Sequence, residues 1–328
     1  MLKIILGLTG VDRDINDFLD LNRAAIHLDI SNRNLRPSTA RPILKALQHQ
    51  NCLSQLNMSS NFLQDEGVKY LSQTLITLRQ LTLLDLSGNA ITESGLEHLC
   101  STMIKSSLPT DLKCLNLNCN PITSISLSHL SELCRCKSIT SLSLTSCELL
   151  NVDAMEMLNT IKELEISYNH LSLNGFKTIL RKLNPTIIER INLERCTEQT
   201  NVGECIVEFI TSGCYTSLKE LNLSGLKLNE NEILDILRSL ERCANLRYLD
   251  LSFQKELTFL SFKYLLLHMN NRNLNINLMG CRNLQKISNM FNVCRNHIDF
   301  TCHPCQVQLS MPKRNAEVNQ RNDFIEKM

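Results

Sequence analysis

The pattern L-x-x-L-x-L-x-x-N-x-L, carried by Leu81, Leu84, Leu86, Asn89 and Ile91, returns along the chain at close to regular intervals and leaves little choice of fold. Taking the second leucine as the marker gives Leu28, Leu56, Leu84, Leu115, Leu142, Leu164, Ile191, Leu221, Leu249 and Ile276, at spacings of 28, 28, 31, 27, 22, 27, 30, 28 and 27 residues. Around each marker the apolar side chains alternate with period two, as in a short strand with one face in a core. Asn89 stands where the chain leaves that strand, and its amide can both donate to and accept from backbone groups that would otherwise lack partners. The next stretch, TESGLEHLCSTMIKS, opens on Thr92 and spaces Leu96, Leu99, Cys100 and Met103 as on one helix face. A single strand-plus-helix unit cannot bury its own apolar side, so stacking of neighbours must close the core.

This is the long class of leucine-rich repeat. The spacing predicts an α/β leucine-rich-repeat solenoid, a horseshoe of about ten repeats with parallel strands on its concave face and helices on its convex face. Residues 25–295 are expected to form the repeat domain. Residues 1–24 are expected to be an N-terminal cap or the remnant of an upstream segment, and 296–328 a C-terminal cap and partly disordered tail. The first helix, within STARPILKALQHQ, is expected to start at a Ser/Thr cap with Pro42 in its first turn. The 22-residue interval between Leu142 and Leu164 leaves only LLNVDAMEMLNT for the return, which predicts a shortened helix.

Composition narrows the function. A net charge of +1 with no basic stripe argues against direct contact with nucleic acid or an anionic membrane. The opening MLKIILGLTG is too short to span a bilayer. Cys147, Cys196 and Cys281 replace the turn asparagine, and Cys52, Cys136, Cys214, Cys243 and Cys294 fall near helix ends. The template reads them as small buried thiols in a reducing nucleus or cytosol. Cys302-His303-Pro304-Cys305, near Cys294 and His297, lacks the second well-spaced pair of a zinc site, so no metal is expected. No phosphate loop, dinucleotide fingerprint or nucleophile elbow is present, and neither catalysis nor a cofactor is expected.

What remains is a binding surface. The residues following the markers, Asp29, Asn57, Asp85, Asn116, Ser143, Glu165, Asn192, Asn222, Asp250 and Asn277, point away from the core and include no base. Adjacent columns add Glu163, Glu194 and Glu220, with Arg190 as the one strong base. This bias suits a basic segment of a protein partner. Equally, Asp and Asn suit a solvated strand next to a turn. Tyr168, Tyr248 and Phe253 lie at or just beyond strand ends, where they could anchor a partner or roof the neighbouring turn.

The long repeat class resembles ribonuclease inhibitor, the Ran GTPase-activating protein and the arrays of immune receptors. A narrower resemblance lies in the order of motifs over about residues 25 to 285. LDLSGNAITESGLEHL, then DLKCLNLNCNPI, then HLSELCRCKSITSLSLTSCEL, then IKELEISYNHLSLNGFKTILRKLNPTIIERINLERC is similar to the carboxy-terminal leucine-rich part of Tonsoku-like proteins. The similarity includes the cysteine turn at Cys147, the short interval after it and the turn at Ser167, Tyr168 and Asn169. It implies a non-enzymatic nuclear scaffold that maintains replication forks through homologous recombination and engages a large partner scaffold protein. The ankyrin and tetratricopeptide arrays of that family have no counterpart in the sequence, so it is expected to be a carboxy-terminal fragment or a truncated gene model, and histone recognition is not carried over. A Ran-type regulator would carry a strongly acidic tail, whereas Lys313, Arg314 and Arg321 follow the repeats.

Overall fold

The computed structural model describes residues 3–5, 26–106, 110–268, 274–285, 299–303 and 306–310; for 3–5, 299–303 and 306–310 it describes the backbone. The chain forms two compact units, Met1–Asn169 with Lys182–Asn184, and His170–Arg181 with Pro185–Met328.

In the first unit the strands are β1 (Lys3–Ile5), β2 (His27–Asp29), β3 (Gln55–Asn57), β4 (Leu83–Asp85), β5 (Cys114–Asn116), β6 (Ser141–Ser143) and β7 (Glu163–Glu165). All are parallel, and the markers are in register: Leu28 pairs with Leu56, Leu56 with Leu84, Leu84 with Leu115, Leu115 with Leu142 and Leu142 with Leu164. Each strand is three residues long, so its central leucine is its sole contribution to the core, and every one of these markers is buried. β1 adds one strand before the first predicted repeat, with Ile4 opposite Leu28.

The return segments are α1 (Pro37–Leu47), α2 (Gln64–Leu75), α3 (Glu93–Lys105) and α4 (Leu127–Lys137), the last entered through a 3-10 turn, Ser124–Ser126. In α3 the buried residues include Leu96, Leu99, Cys100 and Met103, the face expected from their spacing. Its start is fixed twice over. Thr92 accepts from the Ser94 N–H at 3.3 Å, while Asp65 of the preceding repeat accepts from the Thr92 N–H and Oγ1 at 2.8 and 2.7 Å.

Two local expectations need correction. α1 begins at Pro37, before Ser38; Arg36 is its N-cap, its N–H held by Thr39 Oγ1 at 2.9 Å, and Pro42 lies in the second turn. Pro37 fits there because the first helical residue needs no N–H. The short interval after Leu142 contains no helix. Leu149, Val152, Met155, Leu158 and Ile161 are all buried at intervals of three, and Leu158 forms an isolated parallel bridge with Leu183. A chain too short for several helical turns fills the same core volume by turning inward at every third residue.

The second unit contains α5 (Leu173–Lys182, its last residue grouped with the first unit), β8 (Arg190–Asn192), α6 (Gly203–Thr211), β9 (Glu220–Asn222), α7 (Glu230–Leu240), β10 (Tyr248–Asp250), α8 (Phe259–His268), β11 (Asn275–Asn277), the four-residue α9 (Arg282–Gln285), β12 (Asp299–His303) and β13 (Gln306–Ser310). β8 to β11 are parallel, with Ile191, Leu221, Leu249 and Ile276 in register. β13 then pairs antiparallel with β11, placing Leu309 opposite Ile276, and β12 pairs antiparallel with β13. The expected tail at 311–328 lies outside the described residues.

The turn asparagines do what their chemistry allows. Asn120 donates to the carbonyls of Leu86 and Leu117 at 3.0 and 2.9 Å and accepts from the N–H groups of Asn89 and Ile91, both at 3.0 Å. Each amide thus ties its own turn to the one before it, as Asn61, Asn89 and Asn169 also do. In the same row Cys147 and Cys281 donate their thiols to the carbonyls of Leu117 and Leu251 at 3.3 and 3.2 Å, and Gln254 donates to Leu223 at 2.7 Å. Cys147, Cys196, Cys214, Cys243 and Cys281 are buried as expected. Cys52, past the end of α1, and Cys136, in the last turn of α4, are instead exposed.

Candidate functional site

The strand face of each unit carries the predicted site residues. In the first unit Asp29, Asp85 and Asn116 each turn one side-chain oxygen back onto the chain, accepting from the N–H two residues on: Ser31 at 3.1 Å, Ser87 at 2.9 Å and Asn118 at 3.0 Å. In the second unit Asn192, Asn222, Asp250 and Asn277 do the same for Glu194, Ser224, Ser252 and Met279. Asp and Asn therefore recur in this column because the strand exit needs a short acceptor, the local reading that competed with an acidic groove.

The second oxygens are also engaged. Asp85 Oδ2 accepts from Asn116 Nδ2 at 3.0 Å. Asp250, only 5% exposed, accepts from Asn277 Nδ2 at 2.7 Å and from the Tyr248 hydroxyl at 2.9 Å. Burial, followed by the Asp250 hydrogen bond, pushes the Tyr248 phenol up to about 12. Asp250 and Tyr248 are thus a closed polar network rather than free recognition groups.

The fully exposed acids of this face are Glu165 and Glu220, while Asp29, Asp85, Glu163 and Glu194 are half-buried. Glu163 and Glu165 on β7 accept from Ser141 and Ser143 Oγ, each at 3.2 Å; Glu163 is half-buried and Glu165 exposed. On the same face burial, followed by the Glu163 charge, raises the Cys114 thiol. Glu220 is exposed on β9, in register between Arg190 and Tyr248, and Glu194 is half-buried beyond β8.

Tyr168 and Phe253 lie past the strands, in a row that the sequence reading did not isolate. The fourth residue after every marker is left-handed: Asn32, Ser60, Gly88, Cys119, Ser146 and Tyr168 in the first unit, and Arg195, Gly225, Phe253 and Gly280 in the second, with φ between 44° and 70°. Glycine is the natural occupant, and a bulky side chain there costs about 1–2 kcal/mol. Tyr168 and Phe253 are nevertheless 47% and 39% exposed. Arg195 was missed altogether; the signal that finds it is the alternation of bulky residues with glycine along this row.

In the second unit Arg195 lies with its guanidinium carbon 5.2 Å from the Phe253 ring centre. A Cβ on Gly225 would stand 2.7 Å from Arg195 Cγ, and one on Gly280 would stand 2.6 Å from Phe253 Cδ1. These side chains wall a cleft of about 700 Å³ that also includes Lys227, Glu232, Lys255 and Glu256. Lys227 is paired with Glu198 at 2.7 Å, and this hydrogen bond lowers the Glu198 pKa.

Among the described residues no group of His, Cys, Asp and Glu could hold a metal ion, and no helix is long and apolar enough to cross a membrane. The side chains of Cys294, His297, Cys302, His303 and Cys305 lie outside the described residues.

The family model described as Leucine Rich repeat matches residues 49–72, 77–100 and 109–131. The Tonsoku-like protein of Danio rerio is 28% identical over 260 residues, covering 74% of this chain and 18% of that protein. That of Drosophila melanogaster is 30% identical over 266 residues, covering 78% and 19%. The repeat region is Tonsoku-like. The chain spans about a fifth of the length of these curated relatives. A solved structure of the yeast Rad7 and Elc1 complex matches 78% of this chain and 69% of its own at 18% identity with a TM-score of 0.47.

Proposed function

We propose that this Tonsoku-like repeat region is a docking surface of a nuclear scaffold that supports stalled or collapsed replication forks and their repair by homologous recombination. The observation that carries the reading is the similarity to Tonsoku-like proteins over about three-quarters of the chain, in fish and in fly. Its partner is a large scaffold protein at replication forks, and a basic segment of that partner meets the solvent-facing carboxylates. Glu165, with Glu163 beside it, serves on the first unit and Glu220 on the second, because Glu165 and Glu220 are exposed whereas Asp85 and Asp250 are engaged by both oxygens in turn and ladder hydrogen bonds. Charge at such a face acts mainly on selectivity and rate of encounter.

The test uses the tagged full chain in nuclear extract, with recovered proteins identified by mass spectrometry. Replication and recombination factors are expected, with recovery falling about five-fold for a Glu163→Lys, Glu165→Lys double variant or for Glu220→Lys, equivalent to about 1 kcal/mol. Recovery of cytosolic or membrane proteins alone, or undiminished capture by both variants, refutes the reading. Stimulated GTP hydrolysis on mixing with Ran, or tight binding to a basic ribonuclease, would move the assignment to another branch of the long repeat class.

A further inference from the structure

We propose that the turn edge of the second unit is a separate binding site for an acidic peptide segment, with the Arg195 guanidinium taking a carboxylate and the Phe253 ring taking an adjacent apolar side chain. The site stands apart from the strand face in position, and its recognition group is a cation rather than a carboxylate.

Three observations converge on it. The first is conformational: Arg195 and Phe253 occupy left-handed positions, φ 44° and 58°, between glycines that hold the equivalent places in the intervening and following repeats. A strained torsion persists where the surroundings compensate it. Both side chains are exposed, so core packing does not supply that compensation.

The second observation is steric. Arg195 reaches Phe253 only by lying across Gly225, and Phe253 in turn lies on Gly280; a methyl group at either glycine would collide with the side chain above it. The pair is therefore held as a preformed platform, with the cation 5.2 Å from the ring centre and one wall of a cleft of about 700 Å³ beside it.

The third is the state of the charges. Lys227 is neutralised by Glu198 at 2.7 Å. Glu232 is committed to the N–H groups of Gly203 and Asn229 at 2.8 and 2.9 Å. Arg195 adds weakly to the field that lowers Glu198 but has no hydrogen-bond acceptor among the described residues, so its planar fork of donors is open. Stacked on an aromatic ring, that fork matches a carboxylate bidentately. Nucleic acid fits less well: Glu198, Glu232 and Glu256 offset Arg195, Lys227 and Lys255, leaving no accumulated positive field for a phosphate backbone. A single carboxylate flanked by apolar groups needs no such field.

Fluorescence anisotropy of the full chain with a labelled peptide of alternating Glu and Leu tests the proposal, against the same peptide with Gln for Glu and a labelled oligothymidine. The Glu peptide is expected to bind about ten-fold or more tighter than the Gln peptide, in line with a charge-assisted pair. Arg195→Gly suits the left-handed torsion and should retain the melting temperature while abolishing the difference; Phe253→Gly should weaken both peptides. Equal binding of the two peptides, an Arg195→Gly variant that still discriminates between them, or oligothymidine binding as tightly as the Glu peptide overturns it. The strand-face reading is scored on partner recovery from extract, so the two can fail independently.

Discussion

Replacing Asn120 by alanine isolates the bond that ties one repeat to the next. The amide is 1% exposed and is the acceptor for the N–H groups of Asn89 and Ile91, both at 3.0 Å. Two orphaned buried donors at about 1–3 kcal/mol each set a range of about 2–6 kcal/mol. Cys119, exposed next door, gives water a route to part of the turn, so about 3 kcal/mol is expected. Asn120→Cys is the informative control. Cys147 fills the same place one repeat later, where its thiol reaches the Leu117 carbonyl at 3.3 Å and the Ile122 N–H turns to the Asn120 carbonyl at 2.8 Å. The cysteine variant should therefore lose about half as much, near 1.5 kcal/mol, since one carbonyl stays paired and the turn closes on itself. Urea unfolding gives the stability change from the shift in midpoint. Amide hydrogen exchange supplies the location, because protection should fall first at Asn89 and Ile91. A loss below about 0.5 kcal/mol for alanine, within the range of ordinary surface substitutions, or protection lost elsewhere while those two amides keep theirs, would refute the claim that the side chain couples adjacent turns.

Leu84→Ala removes a fully buried strand centre and should cost about 2–5 kcal/mol in the same unfolding assay; a cost under 1 kcal/mol would mean that the stack collapses around the gap. Burial pushes the thiols of Cys134, Cys147 and Cys214 up to about 12 from an ordinary value of 9.0. These groups leave stability intact below pH 9, and it should fall between 9 and 12, because the unfolded chain releases protons that the folded one retains. Melting temperatures across that range check it, and a flat profile counts against buried thiols. Asp65→Ala removes the acceptor for Thr92 at the start of α3 and should cost about 1 kcal/mol; exchange at the first amides of that helix is the readout.

The repeat architecture was legible because a three-residue strand has one core position, and leucine or isoleucine occupies it in every predicted repeat. The asparagine was legible for the same reason: one side-chain type both donates and accepts over that reach. The short repeat was read as a small helix because helical and three-residue apolar spacings look alike over a dozen residues. The cap of α1 was misplaced by two residues, as Ser38 resembles a cap while Arg36 holds that place and Pro37 sits at the first helical position. On the strand face a list of acids cannot tell a solvent-facing carboxylate from one bonded to its own backbone; Glu165 and Asp250 look equivalent in sequence and differ entirely in surroundings. Arg195 escaped because its importance rests on Gly225 and Phe253, residues far along the chain that only the stack brings beneath it and beside it.

In the column after the markers aspartate and asparagine close the turn with the same oxygen, and at Asp85 and Asp250 a second oxygen also takes the amide of the next rung. A single nucleotide change can swap one for the other. Lineages could therefore drift the electrostatic character of this surface rung by rung while its backbone stays put, so a shift in partner preference need not pass through a misfolded ancestor.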